Sequence, residues 1–500
     1  MMKTCVIIGG GLGGLFCGAL LAKNGIKVTV LEKNSIIGGG LQCFKREDAI
    51  FETGMHTIGG FTKSGNLHRL CNYLGILDDL KIKHLPEECI DEVVVLNNGD
   101  KYKIPSGKQN FIKILSEYFP HESQGIIQYV NALYKLTEEV PLFYLKEDKP
   151  ITAQRSEMFL WSVNDFIAHF IKDRTLQNLL AFLSPLYAGV RNHTPAYIHA
   201  LINVLYINGS ARFIGGGLHL AKSLKKVIEE NGGEVRHNEE VISISIKDSR
   251  IENVETTGDK YVADSYISSI CPTALLPLLP KGALGKLFEK RLEEIPVTTS
   301  AFSVFIKFKP SSFPFINQTI HVHDNIENVW NKNKVDSTLW PQSFILITPP
   351  DAINQQFASK MIVLCLMDYE EVKQWSDSVV GHRQQSYYEW KKKLESRILD
   401  KLGKLYPGIQ EKIEMVESAS PLTIRDYYHT KQGSVYGFRK DCEDIFLSQL
   451  SVYTKLHNLF LTGQNINLHG ICGVPLTSIL TTEAILGSNV ILDQLNKNEN

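Results

Sequence analysis

The feature that most constrains this chain is a spaced set of glycines that follows a short apolar run near residue 5. Cys5 to Ile8 has the uninterrupted apolar character of a strand that is buried on both faces. Gly9, Gly11 and Gly14 then fall at the spacing G-x-G-x-x-G. The first glycine permits a tight turn, the second lets backbone N–H groups approach a pyrophosphate, and the third lets helix and strand pack closely. The sequence therefore predicts a Rossmann-type β–α–β unit that binds a dinucleotide.

The residues after the glycines support this prediction. A helix is expected to stop at Asn24-Gly25, and Val28 to Leu31 predicts the second strand. Glu32 closes that strand roughly 20 residues past the glycines, where an acid hydrogen-bonds a ribose hydroxyl. A secretory signal is the alternative, because Lys3 precedes the apolar stretch. The glycines would break an apolar signal helix, which favours the dinucleotide site.

FAD is favoured over NAD by a second glycine cluster, Gly38 to Gly40, directly after the ribose acid. Its backbone can run along an extended cofactor. The backbone of Val241 is a further expected contact, for the adenine. A helix predicted over 475–486, with Pro475 in its first turn, would bring a positive dipole end to the flavin. The predicted cofactor contacts are Gly9, Gly11, Leu12, Gly13, Gly14, Glu32, Lys33, Gly39, Gly40, Leu41, His56, Val241, Gly463, Asn465, Gly473 and Val474.

The remaining pattern predicts an α/β fold with a discontinuous Rossmann-type FAD-binding domain and a second, mixed α+β substrate domain. Val93 to Leu96 turns at Asn97-Asn98-Gly99-Asp100 as a hairpin, and residues 109–206 are mostly helical in pattern. Gly215 to Gly217 lacks a recognisable buried strand before it and is not interpreted as a second nucleotide motif. The FAD domain is predicted from residues 1–85, 215–284 and 455–500, and the substrate domain from residues 86–214 and 285–454.

Composition narrows the function classes. The 500 residues carry a formal net charge of -1, which gives no electrostatic reason to expect nucleic acid. Nine scattered cysteines without metal-type spacing indicate reduced thiols and no metal site. No run of 18 or more apolar residues predicts a spanning helix. We therefore expect a cytoplasmic protein, at most peripheral to a membrane, and the oligomeric state stays open.

A family resemblance is carried by residues 54–59, 184–189, 206–217 and 461–465, and by the tract 420–437. Through these segments the chain resembles the phytoene desaturase, carotenoid isomerase and retinol saturase group of FAD enzymes, and within it the retinol saturase-like proteins. The resemblance runs nearly end to end. Related flavoproteins often carry Arg after the second glycine of the second cluster, where this chain has Gly40. The resemblance implies redox or isomerising chemistry at C=C bonds of long, apolar, isoprenoid-type substrates.

The catalytic candidates are groups that could give a proton to an alkene carbon. His56 and His469 lie on loops expected to meet the flavin, and Tyr187 is a further donor from the substrate side. Each histidine could instead be a buried residue satisfied by backbone carbonyls. Cys472 has no assignable base and is equally explained by apolar packing.

Three functions stay open at this point: a saturase or desaturase, a non-redox isomerase, and an amine oxidase. An amine oxidase would favour an aromatic cage, which Tyr436 alone does not make. No second Rossmann motif predicts a resident NAD(P)H domain. Either NAD(P)H docks transiently or electrons arrive from another partner.

Overall fold

A parallel five-stranded sheet is assembled from three separated stretches of the chain. The computed structural model describes residues 2–147, 155–330, 339–444 and 449–497. The sheet confirms the Rossmann-type part of the predicted fold, because strands far apart in sequence lie side by side and parallel. In spatial order the strands are β10 (Glu234–Arg236), β2 (Lys27–Leu31), β1 (Thr4–Ile8), β14 (Ser265–Ser268) and β20 (Leu459–Leu461).

Helices cover this sheet, and the first of them is apolar nearly all round because it is enclosed by its neighbours. This helix packs against the helices that begin at Asn66, Leu218 and Gly470, as well as against β2. Its glycines allow this close packing, since a Cβ on Gly18 would lie 2.8 Å from Ile228 Cδ1. The helices of this layer are α1 (Leu12–Lys23), α2 (Asn66–Leu74), α8 (Leu218–Glu230), α14 (Gly470–Leu486) and α15 (Val490–Lys497).

A seven-stranded mixed sheet forms the second part of the fold. One face packs on the helix α11 (Gln385–Leu405) through alternating side chains such as Phe302, Val304 and Val363. The opposite face is turned toward the first sheet. The predicted hairpin at residues 93–104 is confirmed as its last two strands. In spatial order the strands are β19 (Ile413–Ala419), β15 (Ser300–Phe308), β18 (Lys360–Met367), β17 (Ser343–Ile347), β16 (Thr319–His323), β7 (Asp91–Val95) and β8 (Lys101–Ile104).

A helical layer lies on the cavity side of the mixed sheet, as the pattern over 109–206 predicts. Residues 148–154 of that range lie outside the described residues. The layer's aromatic residues are mostly core: Phe159 and Phe166 are buried, whereas Trp161 and Phe170 are partly buried. The helices are α3 (Lys108–Tyr118), α4 (Ser123–Glu138), α5 (Val163–Phe170), α6 (Arg174–Leu179) and α7 (Ala196–Ile207).

Smaller elements connect these layers. The strands are β3 (Cys43–Arg46), β4 (Ala49–Glu52), β5 (Ile58–Gly59), β6 (Ile82–His84), β9 (Ser210–Phe213), β11 (Val241–Lys247), β12 (Arg250–Thr256) and β13 (Lys260–Tyr261). The helices are α9 (Pro272–Leu275), α10 (Lys286–Glu294), α12 (Ile409–Lys412) and α13 (Pro421–Tyr428).

Two local predictions were wrong. The helix predicted from Pro475 begins at Gly470, so Pro475 lies inside α14, where its missing N–H removes one intrahelical bond. A buried strand, β9, does precede Gly215 to Gly217. Those glycines nevertheless pack on side chains rather than on a nucleotide, since a Cβ on Gly216 would lie 2.7 Å from Cys43 Sγ.

The helix lengths bear on membrane crossing. Within the described ranges, no single helix combines the length and apolar character needed to cross a membrane. The pair α14 and α15 meets that test only when the two are taken together, and they are bent by 117° at their junction.

Candidate flavin site

One cavity of about 620 Å³ is bounded by both sheets. Its walls include the carboxyl ends of β1 and β2, the N-termini of α1 and α14, and one face of the mixed sheet. Ligands of open parallel sheets bind at this edge, beyond the carboxyl ends of the strands. Every predicted cofactor residue lines this cavity except Gly14.

The first glycine loop is shaped to receive a phosphate. Gly9 has a φ of 100° and its N–H donates to the carbonyl of Leu31 at 2.8 Å. A Cβ on Gly14 would lie 2.0 Å from the carbonyl oxygen of Gly9, so helix and strand touch there. A Cβ on Gly11 would meet nothing within 4 Å, because that side of the residue is open. No side chain caps α1, whose first N–H groups are therefore available to an anion.

Glu32 joins the two glycine loops and also lines the cavity. Its carboxylate accepts hydrogen bonds from the N–H of Gly10 and of Asn34, each at 2.9 Å. The N–H of Gly38 donates to the carbonyl of Gly10 at 2.8 Å, which fixes the second loop to the first. A carboxylate has acceptor capacity beyond two bonds, so Glu32 can still accept from a ribose hydroxyl, and that role stays a prediction.

The last glycine segment meets the first at the other end of the cavity. A Cβ on Gly13 would lie 3.2 Å from Cα of Gly463. Asn465 accepts the N–H of Phe438 at 3.0 Å through its side-chain oxygen, which anchors this loop. No side chain caps α14, and its first residues line the cavity. The earlier start of α14 thus brings a second uncapped helix N-terminus to the site.

Taken together, these residues fit FAD. Two uncapped helix N-termini face one cavity, and open glycine backbone lines the cavity between them. Glu32 lines the same cavity, at the position expected to bind a ribose hydroxyl. Lys33 and Val241 extend the lining in the direction of the expected adenine.

His56 lines the cavity and is held by Glu52. The distance between His56 Nδ1 and Glu52 Oε2 is 3.1 Å, and both side chains are buried. Among the described residues, His56 Nε2 has no hydrogen-bond partner. Sequence reasoning missed Glu52, although an acid four residues before His56 in the same motif was an available signal. Glu52 thus fixes the orientation of the His56 ring at the cavity wall.

His469 lies beside the start of α14. Burial, followed by the charge of Lys440, lowers the pKa of His469 to about 4, so the ring is neutral near pH 7. Its Nε2 atom is buried and has no hydrogen-bond partner among the described residues. The ring lies 5.0 Å from that of Tyr436, centroid to centroid. His469 therefore lines the cavity as a neutral imidazole.

Tyr187 does not line the cavity. Its neighbours Pro185 and Leu186 do, while the Tyr187 hydroxyl turns inward to lie 2.9 Å from His199 Nδ1. His199 Nε2 lies 2.7 Å from the hydroxyl of Tyr129. Burial lowers the pKa of His199 to about 3 and raises that of Tyr187. The cluster stands behind the wall, an arrangement that sequence spacing could not reveal.

Cys472 lines the cavity as a thiol. Its Sγ lies 3.3 Å from the carbonyl oxygen of Gly59, and burial raises its pKa to about 12. A thiol with so high a pKa is a poor nucleophile near neutral pH.

Known proteins share this architecture. The family described as flavin containing amine oxidoreductase matches residues 12–343. All-trans-retinol 13,14-reductase of Danio rerio is 26% identical, with 98% of this chain and 86% of the relative covered. Prolycopene isomerase 2 of an Oncidium hybrid cultivar is 24% identical, with 86% and 74% covered. The crystal structure of an oxidoreductase from Methanosarcina mazei, 17% identical, has a TM-score of 0.66 with 96% and 100% covered.

Proposed function

This chain belongs to the flavin-containing amine oxidoreductase family and is an FAD-dependent oxidoreductase, and on that basis we propose that it acts on carbon–carbon double bonds of a long, apolar polyene. Saturation is the proposed direction. The relatives named as a retinol reductase and as prolycopene isomerases support this class of substrate.

The observation that carries the proposal is the continuity of the cavity. The same space that meets the glycine loops is bounded on the mixed sheet by apolar side chains that are mostly buried, including Ile345, Ile347, Leu364 and Leu366. An extended apolar molecule can therefore lie along the sheet with one part next to the cofactor loops.

Adding two hydrogens across a C=C bond requires a proton as well as two electrons. When bound, FAD supplies the two-electron chemistry. We assign the proton to His56: its Nδ1 donates to Glu52, which orients the ring, and the proton that goes to carbon leaves from Nε2. His469 is the weaker candidate because its low pKa leaves no proton to give near pH 7.

The test is anaerobic reduction of the purified holoprotein with dithionite or NADPH, followed by mixing with all-trans-retinol. We expect reoxidation of the flavin that depends on retinol, and a product heavier by two hydrogens. Because His56 is also an expected cofactor contact, the variant His56→Asn is compared with wild type at saturating FAD, where its flavin should reoxidise about 10²- to 10⁴-fold more slowly. Tyr187→Phe is the control, since Tyr187 lies behind the cavity wall.

Other outcomes would replace the proposal. Isomerised polyene without flavin reoxidation would identify a non-redox isomerase. Turnover of amines with release of hydrogen peroxide would identify an amine oxidase. Reduction of the flavin by NADPH would name the electron donor and has no bearing on the substrate.

We propose that residues 1–85, 215–284 and 455–500 act as the FAD-binding domain and the remainder as the substrate domain. Membership of the two sheets supports this division, because the parallel sheet draws its strands from the first set and the mixed sheet from the second. Segments 148–154, 331–338, 445–448 and 498–500 lie outside the described residues.

We also propose that the protein binds membranes peripherally beside the cavity opening. Tyr427 lines the cavity and is 53% exposed. Val379 and Val380 are exposed on a nearby loop. That loop adjoins Tyr427, because its Arg383 pairs with Asp426, the residue before Tyr427. Exposed apolar side chains favour the bilayer interface, where an apolar substrate is dissolved.

Cosedimentation with phosphatidylcholine vesicles tests this surface. The wild type should pellet with the vesicles, and the double variant Val379→Asp/Val380→Asp should remain in the supernatant with an unchanged melting temperature. Wild-type protein that stays in the supernatant would overturn membrane binding.

A further inference from the structure

We propose that Ser343, held by His323, is a specificity-determining residue that binds an oxygen atom at the polar end of an otherwise apolar substrate. This role depends on the polyene activity proposed above and names what the same cavity selects.

Ser343 presents a hydroxyl within an apolar part of the wall. It lies at the start of β17, faces the cavity, and is only 7% exposed. On the same face lie Ile345 and Leu364, which pair across β17 and β18, and Leu366, two residues from Leu364 on β18. A buried hydroxyl among such neighbours is costly unless it is hydrogen-bonded, and it prefers a substrate that offers a partner.

His323 fixes the direction of that hydroxyl. The two residues oppose each other across β16 and β17, and His323 Nδ1 lies 2.9 Å from Ser343 Oγ. Burial lowers the pKa of His323 to about 3, so one of its ring nitrogens carries the only proton. If Nδ1 carries it, Ser343 can donate to the substrate; if Nε2 carries it, Ser343 can accept from a substrate hydroxyl. Either arrangement matches an alcohol.

The pair is not a nucleophilic triad. His323 Nε2 has no hydrogen-bond partner among the described residues, so no carboxylate orients the ring as a general base. The nearby acid, Asp91, is bonded to His321 instead, with Oδ1 3.1 Å from Nε2. Ser343 is therefore a binding group.

A second hydroxyl of the wall, Thr319, marks the end next to the cofactor loops. Arg212, fully buried, donates to Thr319 Oγ1 at 2.9 Å and to Thr57 Oγ1 at 3.4 Å. Thr57 follows His56 directly. Thr319 and His323 are four residues apart on β16, which is roughly 13 Å at the rise of an extended strand, and Ser343 lies opposite His323. An oxygen held at Ser343 thus sets which double bond reaches the His56 end.

The experiment compares two ligands and two variants on the holoprotein. The ligands are all-trans-retinol and the hydrocarbon in which its hydroxyl is replaced by hydrogen. The variants are Ser343→Ala and the matched control Ser303→Ala. Ser303 lies on the same face, on β15, and its hydroxyl bonds to no histidine among the described residues. Dissociation constants from fluorescence titration and the position of product hydrogens are both measured.

We expect Ser343→Ala to weaken retinol binding about tenfold, the factor that one buried hydrogen bond supports, with the hydrocarbon unaffected. Where turnover occurs, hydrogens should appear at more than one double bond of retinol. Ser303→Ala should change neither ligand. An equal loss for both ligands, an equal effect of Ser303→Ala, or retinol and hydrocarbon bound equally by the wild type would overturn the role of Ser343. Retinol binding that depends on Ser343 without flavin reoxidation would overturn the proposed reaction alone.

Discussion

Two glycines of the first loop, Gly11 and Gly14, should have different effects when each is replaced by alanine. At Gly14 the new Cβ would lie 2.0 Å from the carbonyl oxygen of Gly9, a backbone atom that cannot swing aside. At Gly11 the new Cβ would meet nothing within 4 Å, and its φ of -76° suits any residue. Gly14→Ala therefore perturbs the fold, whereas Gly11→Ala perturbs only the space that a phosphate needs.

The magnitudes follow from these contacts. To restore the shortest tolerated separation of 3.0 Å, α1 must retreat by about 1 Å, and α1 is packed against α8 and α14. Overpacking a core costs about 1–3 kcal/mol, and the fixed backbone places Gly14→Ala at the upper end. Gly11→Ala should leave the apoprotein within about 0.5 kcal/mol of wild type. It should weaken FAD binding by about 1.5–3 kcal/mol, roughly 10- to 150-fold, if one charge-assisted bond to phosphate is lost.

Urea unfolding of each apoprotein and titration of each with FAD separate the two effects. Gly14→Ala should shift the apoprotein midpoint to lower urea, with FAD affinity reduced only as far as the fold is disturbed. The reasoning is refuted if Gly14→Ala unfolds like wild type, or if Gly11→Ala lowers apoprotein stability while it binds FAD normally.

Three further predictions concern charge. Glu32→Gln should weaken FAD binding about tenfold in titrations of the apoprotein, because a neutral amide replaces a charged acceptor; unchanged affinity would contradict its ribose role. Folding lowers the pKa of His199 to about 3 from about 6.5, so its contribution to stability is complete above about pH 6.5 and falls as the pH decreases. Between about pH 6.5 and 5, wild type should lose up to about 1.4 kcal/mol per pH unit more than His199→Gln in urea unfolding, and parallel curves would contradict this. Asp426, in α13, forms an ion pair with the buried side chain of Arg383. Asp426→Asn removes the negative charge of that pair, and should lower holoprotein stability by about 1–3 kcal/mol and speed FAD loss. Glu370→Gln, which removes an exposed ion pair with Lys373, should change neither.

Part of the site was predictable because its signals are local. The spacing of Gly9, Gly11 and Gly14 states which backbone positions must lack a Cβ, and Glu32 follows at a distance set by one helix and one strand. Both parts of the fold class were likewise predicted. Single-segment patterns fail at element ends, where tertiary packing decides, and α14 accordingly begins five residues before Pro475.

The sequence by itself predicted the cofactor class and the residues of the first two glycine loops, because both rest on spacings between near neighbours in the chain. It also predicted the two-part fold from the patterns of separate segments, although the parallel sheet joins strands that are far apart in sequence. Tertiary structure alone decided that Tyr187 turns away from the cavity, and that Arg212 joins Thr57 to Thr319. It also decided that His323 lies beside Ser343, within hydrogen-bond distance of its hydroxyl. These pairings depend on strand register and on helices packing across layers, and a one-residue slip in register would turn each side chain to the opposite face. No spacing within a single segment records that choice.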